Sequence, residues 1–188
     1  MKIYLETLGC QMNRLDSELV VGLLKSAGHE IVQQRRLADA VLYNTCSVRQ
    51  HAEDKVYSRL GTDAQRKEVR PLIVGVLGCM AQREGKTLAR RYSAVDLLCA
   101  PGQLYNLPAL LEKAEHGQQA FALDSVRKSA PDEQALRALD ALDLSRDPDQ
   151  NPSAAQAFVR VARGCDRFCS YCIVPYVRGA EQIGRAHV

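Results

Sequence analysis

Short apolar runs alternate with charged stretches of helical period along the first two thirds of this chain. The runs predict four strands, at 3–8, 40–44, 72–77 and 95–98. The stretches between and after them predict four helices, at 16–27, 48–67, 83–92 and 103–116. The run at 72–77 is apolar throughout, as expected of a strand covered by helices on both faces. The alternation therefore predicts an α/β fold with a mostly parallel sheet flanked by helices.

The composition changes in the last third of the chain, where Ser, Pro, Asp, Arg and Gln become frequent. We interpret 125–153 as a linker, because its prolines interrupt any continuous element. A short amphipathic helix is predicted inside it at 135–144. The linker separates an N-terminal domain, 1–124, from a second domain, 154–188, which opens with a strand predicted at 157–161.

The N-terminus has an acid at Glu6 and no apolar run long enough for a signal peptide or a membrane span. We therefore expect a cytoplasmic protein with no membrane partner. Thiols stay reduced in that compartment, so the seven cysteines are expected to bind metal or to react rather than to form disulfides. The net charge of +3 is too small to indicate nucleic-acid binding by itself.

Three cysteines, Cys165, Cys169 and Cys172, stand close together after the predicted strand of the second domain. Soft thiolates select iron–sulfur clusters, zinc or copper(I). Structural zinc sites normally have four protein ligands, and the ferredoxin motif supplies a fourth cysteine, whereas none follows nearby here. This second triad therefore predicts a metal centre with an open coordination position for a substrate.

Three further cysteines, Cys10, Cys46 and Cys79, each follow a predicted strand of the N-terminal domain. Loops at the carboxyl ends of parallel strands line the ligand crevice of such a sheet, so this first triad is expected to meet there. Each of these cysteines alone would be read as a small buried apolar residue. Their equivalent positions favour a shared site, whereas Cys99 matches no motif and is expected in the core.

The cysteine contexts resemble one enzyme family. The stretch 163–179 resembles the radical S-adenosylmethionine signature as it occurs in methylthiotransferases. The contexts at 9–13, 44–49 and 78–81 resemble the three cysteine motifs of the N-terminal domain in the same family. Within the family, Gly-Cys-Gln-Met-Asn, Asn-Thr-Cys-Ser-Val-Arg and Pro-Tyr-Val-Arg-Gly are most similar to the branch that acts on isopentenyladenosine in tRNA.

The resemblance implies two 4Fe-4S clusters and S-adenosyl-L-methionine as cofactors. The implied ligands are Cys10, Cys46 and Cys79 for one cluster and Cys165, Cys169 and Cys172 for the other. Tyr171 is expected near the adenine of S-adenosylmethionine, although a packed loop aromatic is an equally good reading. In this family one S-adenosylmethionine supplies a methyl group to sulfur and a second supplies a 5′-deoxyadenosyl radical. A methylthio group is thereby added to C2 of N6-isopentenyladenosine at position 37 of tRNA.

The resemblance also implies binding partners and the length of a complete family member. The partners are a tRNA substrate and a reductant such as flavodoxin or ferredoxin, and the protein is expected to be a monomer. Complete family members continue through a partial (β/α) barrel and a small β-domain. The chain is therefore expected to be an N-terminal fragment, inactive alone, with the first strand and cluster loop of that barrel. We interpret 183–188 as a non-native tail, because a common sequencing-library adapter encodes this peptide.

Two alternatives stay open at this point. The acceptor of the methylthio group can instead be ribosomal protein S12 or threonylcarbamoyladenosine in tRNA. The chain can also be a non-catalytic module in which the cysteines hold zinc or an iron–sulfur cluster without an open site. The colour of the purified protein distinguishes the two metals, because a zinc protein is colourless and an iron–sulfur protein is brown.

Overall fold

The computed structural model describes residues 1–124, 133–146 and 158–183. Its strands are β1 (Lys2–Leu8), β2 (Glu30–Ile31), β3 (Ala40–Thr45), β4 (Ile73–Gly78), β5 (Leu97–Cys99), β6 (Ala120–Ala122), β7 (Ala162–Arg163) and β8 (Gln182–Ile183). Its helices are α1 (Gln11–Ser26), α2 (Gln50–Val69), α3 (Cys79–Glu84), α4 (Lys86–Arg91), α5 (Leu107–Glu115), α6 (Glu133–Leu144) and α7 (Val174–Val177). Two 3₁₀ turns cover Arg35–Leu37 and Pro101–Asn106.

The first six strands form one sheet in the order β2-β1-β3-β4-β5-β6, and every pairing in it is parallel. The predicted α/β class with a parallel sheet flanked by helices is thus confirmed. All four predicted strands form, with shifts of one or two residues at their ends. The edge strand β6 and the two-residue strand β2 are too short to show a periodicity in the sequence.

Two apolar layers cover the sheet. One layer contains Leu19 and Leu24 of α1 with Leu111 of α5, and the other contains Val56 and Leu60 of α2. Every residue of β3 is buried, because this central strand has helices on both faces. The sheet is therefore a rigid frame whose loops lie at defined positions.

The helices depart from the predictions mainly at their ends. Helix α1 begins at Gln11, directly after Cys10, rather than at residue 16. The predicted helix 83–92 begins earlier, at Cys79, and is divided at Gly85 into α3 and α4. The predicted helix 103–116 is a 3₁₀ turn followed by α5, whose second residue is Pro108. Proline fits the first turn of a helix because the amide hydrogens there have no partner within the helix.

The helix predicted at 135–144 is confirmed as α6, which buries Leu139 and Leu142. It packs against α1 and against the turn Pro101–Asn106. The rest of the predicted linker, apart from Ser145 and Arg146, lies outside the described residues. None of the helices in the part of the chain that the structure describes combines the length and the apolar character needed to cross a membrane.

The strand predicted at 157–161 is wrong for residues 158–161, which form no strand. Val159 and Val161 are exposed there, and Arg160 turns instead toward the carboxylates of Asp16 and Asp143. The chain forms a strand only at β7, which pairs antiparallel with β8. A barrel to which this part of the chain would contribute is untested and stays a prediction. Most of the predicted tail, 184–188, lies outside the described residues.

Candidate metal centres

The structure places the first triad at one edge of the sheet. Cys10 follows β1 as the N-cap of α1, Cys46 follows β3 directly, and Cys79 follows β4 as the first residue of α3. Strands β1, β3 and β4 are neighbours, and their last residues are in register. Three cysteines that are far apart in sequence are therefore adjacent at the carboxyl edge, which is the ligand-binding edge of open parallel sheets.

Close backbone packing brings these loops together. Gly78 precedes Cys79 and has a φ of +84°. A Cβ atom at this position would lie 2.5 Å from Oδ1 of Asn44 and 2.8 Å from the carbonyl oxygen of Thr45. Only glycine combines this backbone conformation with such an approach. The turn into Cys79 therefore depends on Gly78.

Two buried asparagines connect the loops of Cys10 and Cys46. Asn13 donates from Nδ2 to Oδ1 of Asn44 at 3.0 Å, and Asn44 donates back to the carbonyl oxygen of Asn13 at 3.0 Å. Asn44 also donates to Oγ of Ser17 at 2.9 Å. Oδ1 of Asn13 accepts from the Cys10 thiol at 3.3 Å. The network fixes the end of β3 against the start of α1, because buried polar groups that lose a partner are costly.

Burial raises the pKa of the Cys46 thiol. The backbone N–H of Val48, which donates to Sγ of Cys46 at 3.3 Å, lowers this pKa, and the neighbouring Cys10 thiol raises it. Burial also raises the pKa of Cys79, and the guanidinium of Arg178 beside that thiol opposes the rise. Both thiols therefore lie in sites that favour the neutral form unless a cation or a metal compensates.

Cys99 lies apart from this edge, in the core. It has no exposed surface, and its thiol donates to the carbonyl oxygen of Gln103 at 3.3 Å. Burial raises the pKa of this thiol strongly, with a smaller contribution from Asp124. The expectation that Cys99 is a core residue is confirmed.

The second triad lies on a loop between β7 and α7. Cys169 is exposed, while Cys165 and Cys172 are half-buried. The backbone N–H of Cys165 donates to the carbonyl oxygen of Gly179 at 3.1 Å, and that of Cys172 to the carbonyl oxygen of Cys169 at 3.0 Å. The geometry of this loop is thus set by a few local backbone hydrogen bonds rather than by burial.

Gly164 shapes the start of this loop, with a φ of +67°. A Cβ atom there would overlap the carbonyl oxygen of Ala180. Tyr171, expected at the adenine of S-adenosylmethionine, is 93% exposed. The reading of Tyr171 as a packed loop aromatic is therefore wrong, whereas an adenine contact is untested and stays a prediction.

A group of ion pairs that the sequence did not reveal joins residues 158–183, here called the C-terminal segment, to α1. The carboxylate of Asp16 contacts Arg160 at 2.5 Å and Arg178 at 2.8 Å, one through each oxygen. The guanidinium of Arg178 also lies beside the Cys79 thiol. Its place inside the stretch 163–179 is the only signal that could have drawn attention to Arg178. Nothing in the sequence indicated Asp16.

The donor sets suit soft metals. All seven cysteines of the chain are free thiols. Among residues 1–124, 133–146 and 158–183, no three His, Cys, Asp or Glu side chains are grouped so as to hold a single metal ion. A 4Fe-4S cluster makes a different demand, because its thiolates bind separate irons and surround the cluster rather than converge on one centre. Three thiolates at one sheet edge, and three on one loop, have the chemistry for this role.

Fold and site together define a parallel α/β protein with reduced cysteines at the carboxyl edge of its sheet. Comparison with known families places it further. The chain belongs to the uncharacterized protein family UPF0004, whose model matches residues 2–100. The matched part contains all three cysteines of the first triad.

Individual relatives extend the match over almost the whole chain. A tRNA-2-methylthio-N(6)-dimethylallyladenosine synthase of Rhodopirellula baltica is 43% identical over 182 residues, which cover 96% of this chain and 38% of the relative. A protein of the same name from Geobacter metallireducens is 44% identical over 179 residues, 95% of this chain and 38% of the relative. The chain thus spans little more than a third of the length of these curated relatives. The resemblance to methylthiotransferases that the cysteine motifs indicated is confirmed.

Proposed function

We propose that this chain belongs to an enzyme that adds a methylthio group to C2 of N6-isopentenyladenosine at position 37 of tRNA by radical S-adenosylmethionine chemistry. One observation carries the proposal. Cys10, Cys46 and Cys79 end three neighbouring parallel strands at one edge of the sheet, in a chain whose relatives are named for that reaction.

The six motif cysteines are proposed as ligands of two 4Fe-4S clusters, one for each triad. When bound, these clusters supply the electron for cleaving S-adenosylmethionine and the place where sulfur is added. The chain's own residues hold and shield the thiolates. The N–H of Val48 donates to the Cys46 sulfur, and burial keeps water from Cys46 and Cys79, as outer groups do around metal-bound thiolates.

The remaining proposals follow from the same resemblance. The substrate is a tRNA, the electron donor is a flavodoxin or ferredoxin, and the protein acts as a monomer in the cytoplasm. Residues 1–124 are proposed as the domain of the first cluster, 125–153 as a linker, and the residues from 154 onward as the start of the S-adenosylmethionine domain. Tyr171 is proposed to stack on adenine once that cofactor binds.

Metal content tests the ligand assignment. Iron and acid-labile sulfide per chain are measured after anaerobic reconstitution of the wild type, the C10A/C46A/C79A variant and the C165A/C169A/C172A variant. We expect about eight irons in the wild type and about half of that in each variant, as two four-iron clusters require. The C99A variant is the matched control and is expected to keep all the iron. Zinc in place of iron, or no metal in the wild type, would instead favour the non-catalytic module.

The acceptor is tested with a protein of full length. Residues 1–183 are fused to the remaining part of the Rhodopirellula baltica relative, and the fusion is given isopentenyladenosine tRNA, threonylcarbamoyladenosine tRNA or ribosomal protein S12. Mass spectrometry of nucleosides and peptides then shows which acceptor gains the methylthio group, with the unaltered relative as control. Modification of either alternative acceptor in preference to the first would contradict the proposal.

A further inference from the structure

Asp16 is a buried carboxylate that the proposed chemistry leaves unexplained. Its side chain is 2% exposed and lies on α1, the helix whose N-cap is Cys10. Both of its partners, Arg160 and Arg178, come from the C-terminal segment. A buried carboxylate is tolerated only when it is paired, so the contact between α1 and this segment is specific rather than incidental.

Arg178 has a second neighbour besides Asp16. Its side chain is 8% exposed, and its guanidinium is paired with the Asp16 carboxylate at 2.8 Å and lies beside the Cys79 thiol. Helix α7, which ends one residue before it, packs against α3, the helix that begins at Cys79. Helix α7 begins at Val174, two residues after Cys172 of the second triad. One arginine therefore lies beside the first triad, although it follows the loop of the second triad in the chain.

We propose that Arg178 is a positioning residue that joins the two cysteine triads, held by Asp16 with its cation on the Cys79 side of the first triad, where α7 packs against α3. The inference rests on the proposed function, because it assigns a role to Arg178 toward the cluster of the first triad. The ion pair between Asp16 and Arg178 thereby holds the loop of the second triad close to the site of the first triad. The fixed cation also favours the reduced state of the first cluster over the oxidised state.

The electrostatic part of the proposal has a definite sign. Reduction adds one electron from an external reductant of the dithionite or flavodoxin class to the cluster, and Arg178 keeps its proton in both states. The added negative charge is stabilised by a nearby positive charge, more strongly in a buried site than in water. Arginine suits this role because its guanidinium stays charged and can bind two acceptors at once.

The potential of the first cluster tests this part. The full chain with C165A, C169A and C172A serves as the parent, so that only one cluster contributes, and the reduction potential is measured by titration followed by electron paramagnetic resonance. We expect R178Q to lower the potential and R178K to restore part of the shift. E18Q is the matched control, because Glu18 is also on α1 but pairs with Arg146 of the predicted linker. An R178Q potential equal to that of the parent would overturn the electrostatic role.

The docking part is tested on the cluster-free full chain by amide hydrogen exchange of residues 174–183. Exchange there is expected to be faster in R178Q and in D16N than in the wild type. E18Q is expected to have less effect than either. Equal exchange in all four proteins would overturn the docking role. The two failures stay distinct: a parent without iron contradicts the proposed function, whereas an iron-loaded parent with no response to R178Q contradicts only this inference.

Discussion

The two cysteine triads are built in opposite ways. The first takes one cysteine from each of three neighbouring strand ends, with Cys46 and Cys79 buried and the loops joined by the Asn13–Asn44 hydrogen bonds. The second takes all its cysteines from one loop, where Cys169 is exposed and backbone hydrogen bonds are local. The arrangement of the first triad therefore depends on the order of the strands in the sheet. The arrangement of the second triad depends on the spacing of its cysteines along the chain. Each should respond differently to the same kind of disturbance.

The largest difference is expected in resistance to chelators. After reconstitution, iron on the second triad should be removed first, because an exposed ligand such as Cys169 lets the chelator reach the metal. Iron on the first triad should remain longer, since Cys46 and Cys79 are buried. The measurement is iron release with time in the two triple-alanine variants, each of which keeps one triad. Equal release rates would show that the difference in burial does not govern access.

Glycine substitutions at the two sites should affect the free energy of unfolding differently. Gly78→Ala forces a side chain into a position with φ of +84°, against the backbone of Thr45. We expect it to destabilise the sheet by at least about 1–3 kcal/mol, the usual cost of a strained backbone position. Gly164→Ala should distort the second loop and leave the main transition unchanged. Urea unfolding followed by circular dichroism measures both. A similar loss of stability in Gly164→Ala would mean that the loop is integral to the sheet.

The asparagine network offers a smaller test. Asn44→Ala removes the acceptor of the Asn13 amide and leaves buried groups without partners, which should cost about 1–3 kcal/mol. Asp166→Ala is the control at the second triad, because this exposed carboxylate accepts from the backbone N–H of Glu181 at the surface. Its substitution should change the unfolding free energy little. If both variants lose the same stability, the network is no more important than an exposed loop contact.

Cys99 should give the smallest effect. Cys99→Ala is expected to leave the iron content of both triads unchanged and to lower stability by about 1 kcal/mol, as for a typical substitution in a folded protein. In the wild-type apoprotein, Cys99 should be the slowest of the seven cysteines to react with iodoacetamide, because burial raises the pKa of its thiol. Peptide mass spectrometry identifies the order. Early labelling of Cys99 would show that the core opens more readily than the cysteine loops.

Much of this fold could be predicted because its signals are local. The strand 72–77 was evident from an unbroken apolar run, and α6 from its amphipathic period, although nothing in the sequence showed what its apolar face would pack against. The same reasoning predicts a strand at 157–161, which is wrong over residues 158–161. A β-branched run predicts a strand only where another strand is available for pairing, and Arg160 is engaged in ion pairs instead.

The sequence by itself determined which residue types are available and where each stands relative to its own strand or loop. The spacing of Cys165, Cys169 and Cys172, and the position of Cys10, Cys46 and Cys79 after apolar runs, could be read directly. Only the tertiary structure decided that β1, β3 and β4 are neighbours and that Asp16 pairs with Arg178, which lies 162 residues further along the chain. Strand order and buried ion pairs depend on long-range packing free energies, which leave no periodic trace in the residues that take part.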